Sequence, residues 1–225
     1  MKNKFLNVLD VGCRYGVFPI FKKNIRLLNY TGVDCDNLEI KRLKNKYSNE
    51  KNVKLYCAFL ANESKKIDLF IPEHRGYVGS NKINKNSIWF GKLRKNEIKK
   101  VKIKKIKTQK SSDFIKINKI SPNIIKLDIE GGELSFLQGL KDKDFLNTTA
   151  ILTELENHPT YINQSVHSDI HNFLLSKGIA GICAIVFLQL SIKTNIGFST
   201  NSSTFSRLCI SFLPATRDPF DLSDG

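Results

Sequence analysis

The stretch FLNVLDVGCRYG, residues 5–16, decides the predicted fold. It begins with apolar and β-forming side chains, and Gly12 and Gly16 follow where a strand would turn into a helix. Glycines there let the backbone turn sharply and approach a ligand, and the next helix start presents free N–H groups. Asp10 stands where the dinucleotide fingerprint has its first glycine. Its carboxylate would repel a pyrophosphate and attract a cationic group, although a tight turn without any ligand gives the same pattern.

Strands and helices alternate outward from this turn. The sequence predicts strands over residues 5–11, 30–34, 53–59, 123–129 and 150–154, and helices over 17–28, 37–46, 133–140 and 168–176. This alternation predicts an α/β domain with a mostly parallel sheet and right-handed crossovers. Closing strands are predicted over residues 182–190 and 205–213, and a loose tail over 218–225. A single domain spanning residues 1–225 accommodates all of these elements.

Residues 72–110 interrupt the alternation and form a predicted basic insertion. Residues 67–71 are expected to form the hairpin arm that leads into it, and residues 76–86 a loop. The chain carries a net charge of +15, and residues 92–110 hold ten Lys and Arg with one Glu, so the rest carries only +6. This segment is either a solvated face or a docking surface for a nucleotide-sugar, a lipid-linked glycan at a membrane or an acidic polysaccharide.

Composition and cysteine spacing exclude several classes of protein. The five cysteines include no C-x-x-C pair and are odd in number, which argues against a zinc site or a disulfide framework. The longest apolar stretch, residues 178–190, is too short to span a bilayer. Asn7 and Asp10 interrupt any signal-peptide core. We therefore predict a cytoplasmic protein without a transmembrane segment, and leave peripheral membrane contact and the oligomeric state open.

A second motif lies at the end of the predicted strand 30–34. Asp34 follows the glycine turn by about 20 residues, where α/β nucleoside sites place an acidic residue that hydrogen-bonds the ribose diol. Asp36 comes two residues later and has a simpler role as the cap of the next helix. Asn37 is an alternative cap for that helix.

The third motif is IIKLDIEGGEL, residues 124–134. Asp128, Glu130 and Glu133 crowd the carboxyl end of a hydrophobic strand, the edge at which open α/β sheets bind ligands. Asp128 and Glu130 would share one face at period two. Glu133 is equally explained by favourable contact with the positive end of its helix dipole. Lys126 is close enough in sequence to pair with Asp128.

These motifs together resemble one family. LDVGCRYG, GVDCD, CAFLANES, the SSDF…IKLDIEGGELSFLQG run and TELENHPTY are similar, in order and spacing, to the FkbM family of class I methyltransferases. The resemblance covers roughly residues 5–180. It implies a Rossmann-like, doubly wound, mostly parallel seven-stranded sheet with helices on both faces. It also implies S-adenosylmethionine as methyl donor and O-methylation of a hydroxyl, often on a sugar or glycan precursor.

The resemblance also implies roles for individual residues. The methionine part of the donor would be surrounded by Asp10, Gly12 and Gly16, and the ribose held by Asp34. Cys57 and Ala58 would lie near the adenine, and Asp128 is counted among the donor-binding residues. The run Cys13-Arg14-Tyr15 departs from the small or amide residues that are common in that loop.

A hydroxyl acceptor needs a general base to take its proton. The candidates at the same predicted rim are, in order of preference, Glu130, His158 and Glu154. His158 precedes Pro159 and is also explained as a turn residue. Metal-dependent O-methyltransferases hold Mg²⁺ on carboxylates, but the arrangement of an Asp-Asp or Asp-Asn pair at a strand end is absent, so no metal is predicted.

Two other functions stay open at this point. A nucleic-acid methyltransferase would use the basic residues 92–110, although no aromatic residue for base stacking lies between Phe90 and Phe114. Nucleic acid is therefore a less favoured partner than a small-molecule or glycan acceptor, whether neutral or anionic. A non-catalytic binding protein on the same fold is the third possibility. Acceptor selection is expected to lie in residues 72–110 and in the stretch after Leu190.

Overall fold

The computed structural model describes residues 5–179 of the chain. Its strands are β1 (Leu6–Val11), β2 (Leu28–Asp34), β3 (Val53–Cys57), β4 (Leu60–Ala61), β5 (Lys66–Pro72), β6 (Val101–Lys107), β7 (Gln109–Lys110), β8 (Ile124–Leu127) and β9 (Ala150–Thr153). Its helices are α1 (Pro19–Lys22), α2 (Asn37–Lys46), α3 (Ser111–Ile117), α4 (Glu133–Gln138), α5 (Asp142–Phe145) and α6 (His167–Ser176).

A five-stranded parallel sheet forms the centre, in the order β3-β2-β1-β8-β9. Strands β1, β2 and β3 pair successively toward one edge of the sheet, and β8 then pairs with the other side of β1. The strand order therefore reverses between β1 and β8, which is where open α/β sheets bind ligands. This confirms the predicted α/β fold with a mostly parallel sheet. The predicted closing strands 182–190 and 205–213 and the tail 218–225 lie outside the described residues.

Alternating side chains of the sheet enter two separate cores. Leu9 and Ile125 belong to one cluster, which also takes Phe136 and Leu137 of α4 and Leu174 of α6. Val8, Tyr30 and Leu55 belong to the other, which includes Ile40 and Leu43 of α2. Period-two alternation in the strands is what separates these clusters. Burying this apolar surface stabilises the sheet by about 25 cal/mol per Å².

Several predicted boundaries differ from the structure. The helix expected over residues 17–28 is only α1 followed by a 3₁₀ turn at Ile25–Leu27, because Phe18 is extended before Pro19 and Asn24 leaves the helical region. The strand expected over 123–129 ends at Leu127, and the chain enters a left-handed conformation at Glu130, where φ is +56°.

Two helix ends also differ. Asp36 caps α2, because its Oδ1 accepts the Leu38 N–H at 3.1 Å, so Asn37 is the first helical residue and not the cap. Helix α4 ends at Gln138 and not at residue 140. Gly139 follows it, and a Cβ on that glycine would lie 2.3 Å from the carbonyl oxygen of Ala61.

The insertion at residues 72–110 consists of short helical turns that lie between two strands of a separate hairpin, and β6 is the second of these strands. Strands β5 and β6 pair antiparallel, from Lys66–Lys107 at one end to Pro72–Val101 at the other. Between them lie a 3₁₀ turn at Arg75–Tyr77, a π-helical turn at Trp89–Leu93 and a 3₁₀ turn at Lys95–Ile98. A third apolar cluster of Ile83, Phe90, Ile98 and Tyr161 fastens this segment to the rest of the domain.

Helices in the described part of the chain are too short or too polar for any of them to cross a bilayer.

Candidate active site

A cleft of about 620 Å³ opens at the carboxyl edge of the sheet, where the strand order reverses. We call it the strand-edge cleft. The loops after β1, β2, β3 and β8 form its walls, together with the turn at Arg75–Tyr77. Its lining includes Gly12, Arg14, Tyr15, Asp34, Ala58, Arg75, Asp128 and Glu130. This is the position at which doubly wound folds hold nucleotide ligands.

Gly12 lets two loops of the strand-edge cleft come together. Its φ is +88°, and a Cβ there would lie 1.8 Å from the carbonyl oxygen of Asp128. Its N–H and that of Cys13 both donate to the Val33 carbonyl, at 2.8 and 3.1 Å. The close approach that requires glycine is therefore to the Asp128 backbone. Gly16 also has a positive φ, but it packs against the Tyr47 hydroxyl and does not line the cleft.

Asp10 is 0% exposed and lines no described cavity. The Tyr30 hydroxyl donates to its Oδ2 at 2.6 Å, and the Lys126 Nζ lies 3.2 Å from its Oδ1. Lys126 Nζ also lies 3.1 Å from Asp128 Oδ2. Asp10, expected beside the methionine part of a donor, is instead a buried counter-ion that reaches the strand-edge cleft only through Lys126 and Asp128.

Asp34 ends β2 with its carboxylate at the strand-edge cleft. Its Oδ1 accepts the Asp36 N–H at 2.7 Å, and this is the only hydrogen bond that the carboxylate accepts from a described residue. The other oxygen is available to a ligand. Burial raises the pKa of Asp34 above its usual value, because the carboxylate is removed from water. A hydrogen-bond donor on a ligand would therefore stabilise the charged form of Asp34.

Asp36 has a different task from Asp34. Its carboxylate pairs with Arg14 at 3.0 Å and with Arg75 at 2.5 Å. Partial burial acts to raise its pKa, but hydrogen bonds from Arg75 and Arg14 outweigh this and lower the pKa below the usual value. Asp36 therefore stays charged and holds both guanidinium groups at the strand-edge cleft.

The two residues expected beside an adenine separate in the structure. Ala58 lines the strand-edge cleft. Cys57 is exposed, its Sγ approaches the Cys35 carbonyl at 3.7 Å, and it lies outside the cleft lining. Strand β3 ends at Cys57, and of these two residues only the following Ala58 lies at the cleft.

A second cavity, of about 930 Å³, adjoins the first, and we call it the acidic cavity. Five carboxylate side chains and five aromatic side chains line it. The carboxylates are Asp128, Glu130, Glu133, Glu154 and Glu156, and the aromatics are Tyr15, Tyr77, Trp89, Phe90 and Tyr161. Tyr15, Gly76, Asp128 and Glu130 line both cavities. The two spaces therefore meet at these residues.

The loop after β8 turns Glu130 toward both cavities. Glu130 and Gly131 have φ values of +56° and +85°. This left-handed conformation is costly for a side-chain-bearing residue and clusters at functional sites. Glu133, 4% exposed, holds the loop, since its Oε1 accepts the Ile129 N–H at 3.0 Å and the Gly131 N–H at 3.4 Å. The period-two relation expected for Asp128 and Glu130 does not apply, because the strand has already ended.

Comparison with known proteins identifies the family to which the chain belongs. The family described as Methyltransferase FkbM domain matches residues 10–179, which include every described residue of both cavities. The chain belongs to the FkbM methyltransferase family. No curated protein sequence and no solved structure matches it.

In this FkbM methyltransferase, the four glutamates of the acidic cavity have pKa values raised above the usual value. Burial, together with the charge of Asp128, outweighs the hydrogen bond from the Tyr161 hydroxyl and raises the pKa of Glu130 to about 8. Burial raises the pKa of Glu133 to about 7, and it also raises the pKa of Glu154 and of Glu156. Like charges crowded in one cavity and removed from water have this effect.

The candidate bases of this FkbM methyltransferase are not equally placed. Glu130 lies where the two cavities meet, whereas Glu154 lines the acidic cavity and not the strand-edge cleft. His158 is exposed and lines neither cavity, because the turn at residues 156–160 directs it outward. No three His, Cys, Asp or Glu side chains between residues 5 and 179 are arranged to hold a metal ion.

The aromatic residues of the acidic cavity were missed by the motif analysis. Phe90 packs edge-on against Tyr77 and Tyr161, with ring centroids 5.0 and 5.3 Å apart, and Tyr161 donates to Glu130. Tyr15, 75% exposed, belongs to the run that departs from the family's usual loop. That departure, and the aromatics within an otherwise irregular insertion, were the available signs of a second binding space.

Proposed function

We propose that this FkbM methyltransferase transfers the methyl group of S-adenosylmethionine to a hydroxyl of a sugar or glycan precursor. One observation carries the proposal: the strand-edge cleft and the acidic cavity meet at Glu130, a carboxylate whose pKa is raised to about 8. A donor in one space and an acceptor in the other would thus share a group suited to taking a proton near neutral pH.

The strand-edge cleft fits the donor. Asp34 offers a carboxylate oxygen to a ribose diol, and Ala58 gives an apolar contact for a base. Asp128, held by Lys126, offers a second carboxylate near the Gly12 turn. When bound, S-adenosylmethionine supplies an already activated methyl group, so the protein's work is to orient the acceptor and remove its proton.

The acidic cavity fits a polyhydroxyl acceptor. Carboxylates accept hydrogen bonds from hydroxyl groups, and aromatic faces provide apolar contact for the C–H faces of a sugar ring. Arg94 is the one guanidinium in its lining, and it is paired with Glu97 at 2.8 Å. The charge of this cavity favours a neutral or cationic group, so an anionic acceptor would keep its charge outside.

Glu130 is the proposed general base. Tyr161 donates to one of its oxygens and leaves the other for the acceptor hydroxyl. Glu154 is the second choice, since it lines only the acidic cavity. The lysines of β6 line neither cavity, and Arg94 is the one basic residue of segment 92–110 that does, so this segment gives the nucleic-acid alternative little support.

Acceptor profiling tests the proposal directly. A labelled methyl donor is offered with neutral sugars and nucleotide-sugars, amino sugars, uronic acids and RNA. We expect alkali-stable label on a hydroxyl of a neutral or amino sugar compound. Transfer to RNA would contradict the sugar acceptor. Donor binding without transfer to any acceptor in the panel would favour the non-catalytic alternative.

The role of Glu130 is tested by a pair of substitutions. Glu130→Gln is expected to lower kcat by about 10²–10⁴-fold and leave donor affinity unchanged. In the wild type, kcat/KM is expected to rise with pH through about 8, because the base acts when ionised. Tyr161→Phe removes the hydrogen bond that lowers the pKa of Glu130, so this limb should move to higher pH.

Glu63→Gln is the matched control, since Glu63 is exposed, pairs with Lys65 and lines neither cavity. It is expected to leave the rate and its pH profile unchanged. Retention of most activity in Glu130→Gln, or an unmoved limb in Tyr161→Phe, would remove Glu130 from the chemistry.

A further inference from the structure

A hairpin rich in lysine lies outside the lining of both cavities. It consists of β5 and β6 with the two residues before β6, and we call these residues 66–72 and 99–107 the lysine hairpin. Every residue of β6 is exposed apart from the half-buried Ile106. No described strand other than β5 pairs with β6. The outer edge of β6 and nearly all of its side chains are therefore uncovered by residues 5–179.

The positive charge of the lysine hairpin is largely uncompensated. Lys105 pairs with Asp68 at 2.9 Å. The other lysines form no ion pair with a described residue; they are Lys66, Lys99, Lys100, Lys102, Lys104 and Lys107. An array of unpaired ammonium groups creates a positive potential that attracts an anionic surface within about a Debye length.

Exposed aliphatic side chains lie among these lysines. Val101 is 38% and Ile103 61% exposed. In the antiparallel register Ile103 lies opposite Phe70 and Val101 opposite Pro72, so the two aliphatic side chains share one face at the end where residues 73–100 connect the strands. Lys105 and Lys107 continue the same face toward the other end, where Lys66 lies opposite Lys107. The face thus combines an apolar end with a cationic end.

We propose that the lysine hairpin docks this protein on an anionic lipid surface. The lysine ammonium is a compact charge that suits a diffuse layer of lipid phosphates, whereas Arg gives bidentate recognition of single phosphates. Val101 and Ile103 would enter the headgroup boundary while the lysines meet the lipid charge. Together the two contributions fit an anionic bilayer surface.

Two other occupants fit the hairpin less well. A single-stranded nucleic acid would use aromatic side chains for base stacking, and β6 has none. A peptide that added a strand to the free edge would meet a row of lysines, which is how edge strands resist such pairing. Both occupants become outcomes of the test below.

Vesicle sedimentation tests the proposal with the full chain and without methyl donor. Vesicles of phosphatidylcholine alone are compared with vesicles that also contain phosphatidylglycerol, at low and high ionic strength. We expect binding to the anionic vesicles only, and weaker binding at high salt. Lys66→Gln, Lys105→Gln and Lys107→Gln combined, on the same face as Ile103, should lower the partition coefficient on the order of 100-fold. Ile103→Ser should lower it about tenfold at both salt concentrations.

The matched control replaces exposed lysines elsewhere and removes the same charge. Lys22, Lys116 and Lys143, each changed to Gln, should leave vesicle binding within about threefold of the wild type. An equal loss of vesicle binding in this control would show that binding depends only on the net charge of the protein, and it would overturn the proposal. No binding to anionic vesicles, equal binding to both kinds, or binding of poly-uridylate in place of vesicles would also overturn it. Donor binding, measured in parallel, verifies that each variant is folded.

Discussion

Lys126 is a charged residue in an almost solvent-free position. It is 5% exposed, lies between the carboxylates of Asp10 and Asp128, and its Nζ is 5.4 Å from the ring centroid of Phe18. Burial alone would lower its pKa, but the two carboxylates outweigh burial and raise the pKa above its usual value. Lys126 is therefore cationic at neutral pH and makes a buried Asp10 tolerable.

Replacing Lys126 with Met is expected to lower the free energy of unfolding by about 3–5 kcal/mol, because Asp10 would remain buried without its counter-ion. Urea unfolding at neutral pH measures this loss. In the double variant Asp10→Asn/Lys126→Met the uncompensated charge is gone, so much of the stability should return. Lys116→Met, at an exposed position, should change little. An unchanged midpoint in Lys126→Met would show that the buried pair does not stabilise the fold.

The pH dependence of this stabilisation follows from the raised pKa of Lys126. A group whose pKa is higher in the folded than in the unfolded state stabilises the fold fully below the unfolded value, near 10.4. Its contribution is lost as the pH rises through the folded value. The ion pair should therefore be intact at every pH at which the enzyme is assayed.

At the level of elements, the turn after β1 and the loop after β8 behave as one unit. They touch through Gly12 and the Asp128 carbonyl, and Lys126 Nζ lies 3.5 Å from the Gly12 carbonyl oxygen. The two strands are neighbours in the sheet although more than a hundred residues separate them. A change in either loop will therefore move a wall of the strand-edge cleft.

Gly12→Ala tests this coupling. A Cβ at Gly12 would overlap the Asp128 carbonyl oxygen, and its φ of +88° is unfavourable for alanine. We expect a loss of more than about 2 kcal/mol in the free energy of unfolding, with weakened donor binding. In Gly132→Ala the nearest heavy atom is 3.4 Å away, so it should cost about 1 kcal/mol or less. Equal losses from both substitutions would contradict the role of close approach at Gly12.

At the level of the whole molecule, residues far apart in the chain form two adjoining spaces. The strand-edge cleft is built mostly by loops of the central sheet, and the acidic cavity mostly by the insertion and residues 154–164. Within residues 72–110, His74, Tyr77, Trp89 and Phe90 line the acidic cavity, whereas the lysines of β6 do not. The expected contribution of the stretch after Leu190 lies outside the described residues.

A pair of substitutions should separate the two spaces. Asp34→Ala is expected to raise the Kd for S-adenosylmethionine about 10–100-fold, because a hydrogen bond to a charged group is lost. Trp89→Ala is expected to leave that Kd unchanged and raise the KM of the acceptor about tenfold. Calorimetry and initial rates measure the two effects. Asp113→Ala, on an exposed part of α3, is the control for loss of a carboxylate. If both variants weakened donor and acceptor alike, the two spaces would not be separate sites.

The sequence by itself determined the parallel sheet and the edge at which the site lies. Apolar runs, glycine turns and caps are local features, and they indicated the five central strands and the positions of Asp34 and Asp128. The motif order also indicated the family, which the match over residues 10–179 confirmed. These features can be predicted without knowledge of tertiary contacts, because each depends on neighbours within a few residues in the sequence.

Only the tertiary structure decided what each acidic residue contacts. Asp10 and Asp34 both follow the motif pattern, yet Asp10 is sealed against Lys126 and Tyr30 while Asp34 opens to the strand-edge cleft. Glu130 meets Tyr161, 31 residues away, because both are brought to the same wall by the fold. Burial and partner are properties of long-range packing, and a local pattern carries no information about which distant side chain will lie opposite.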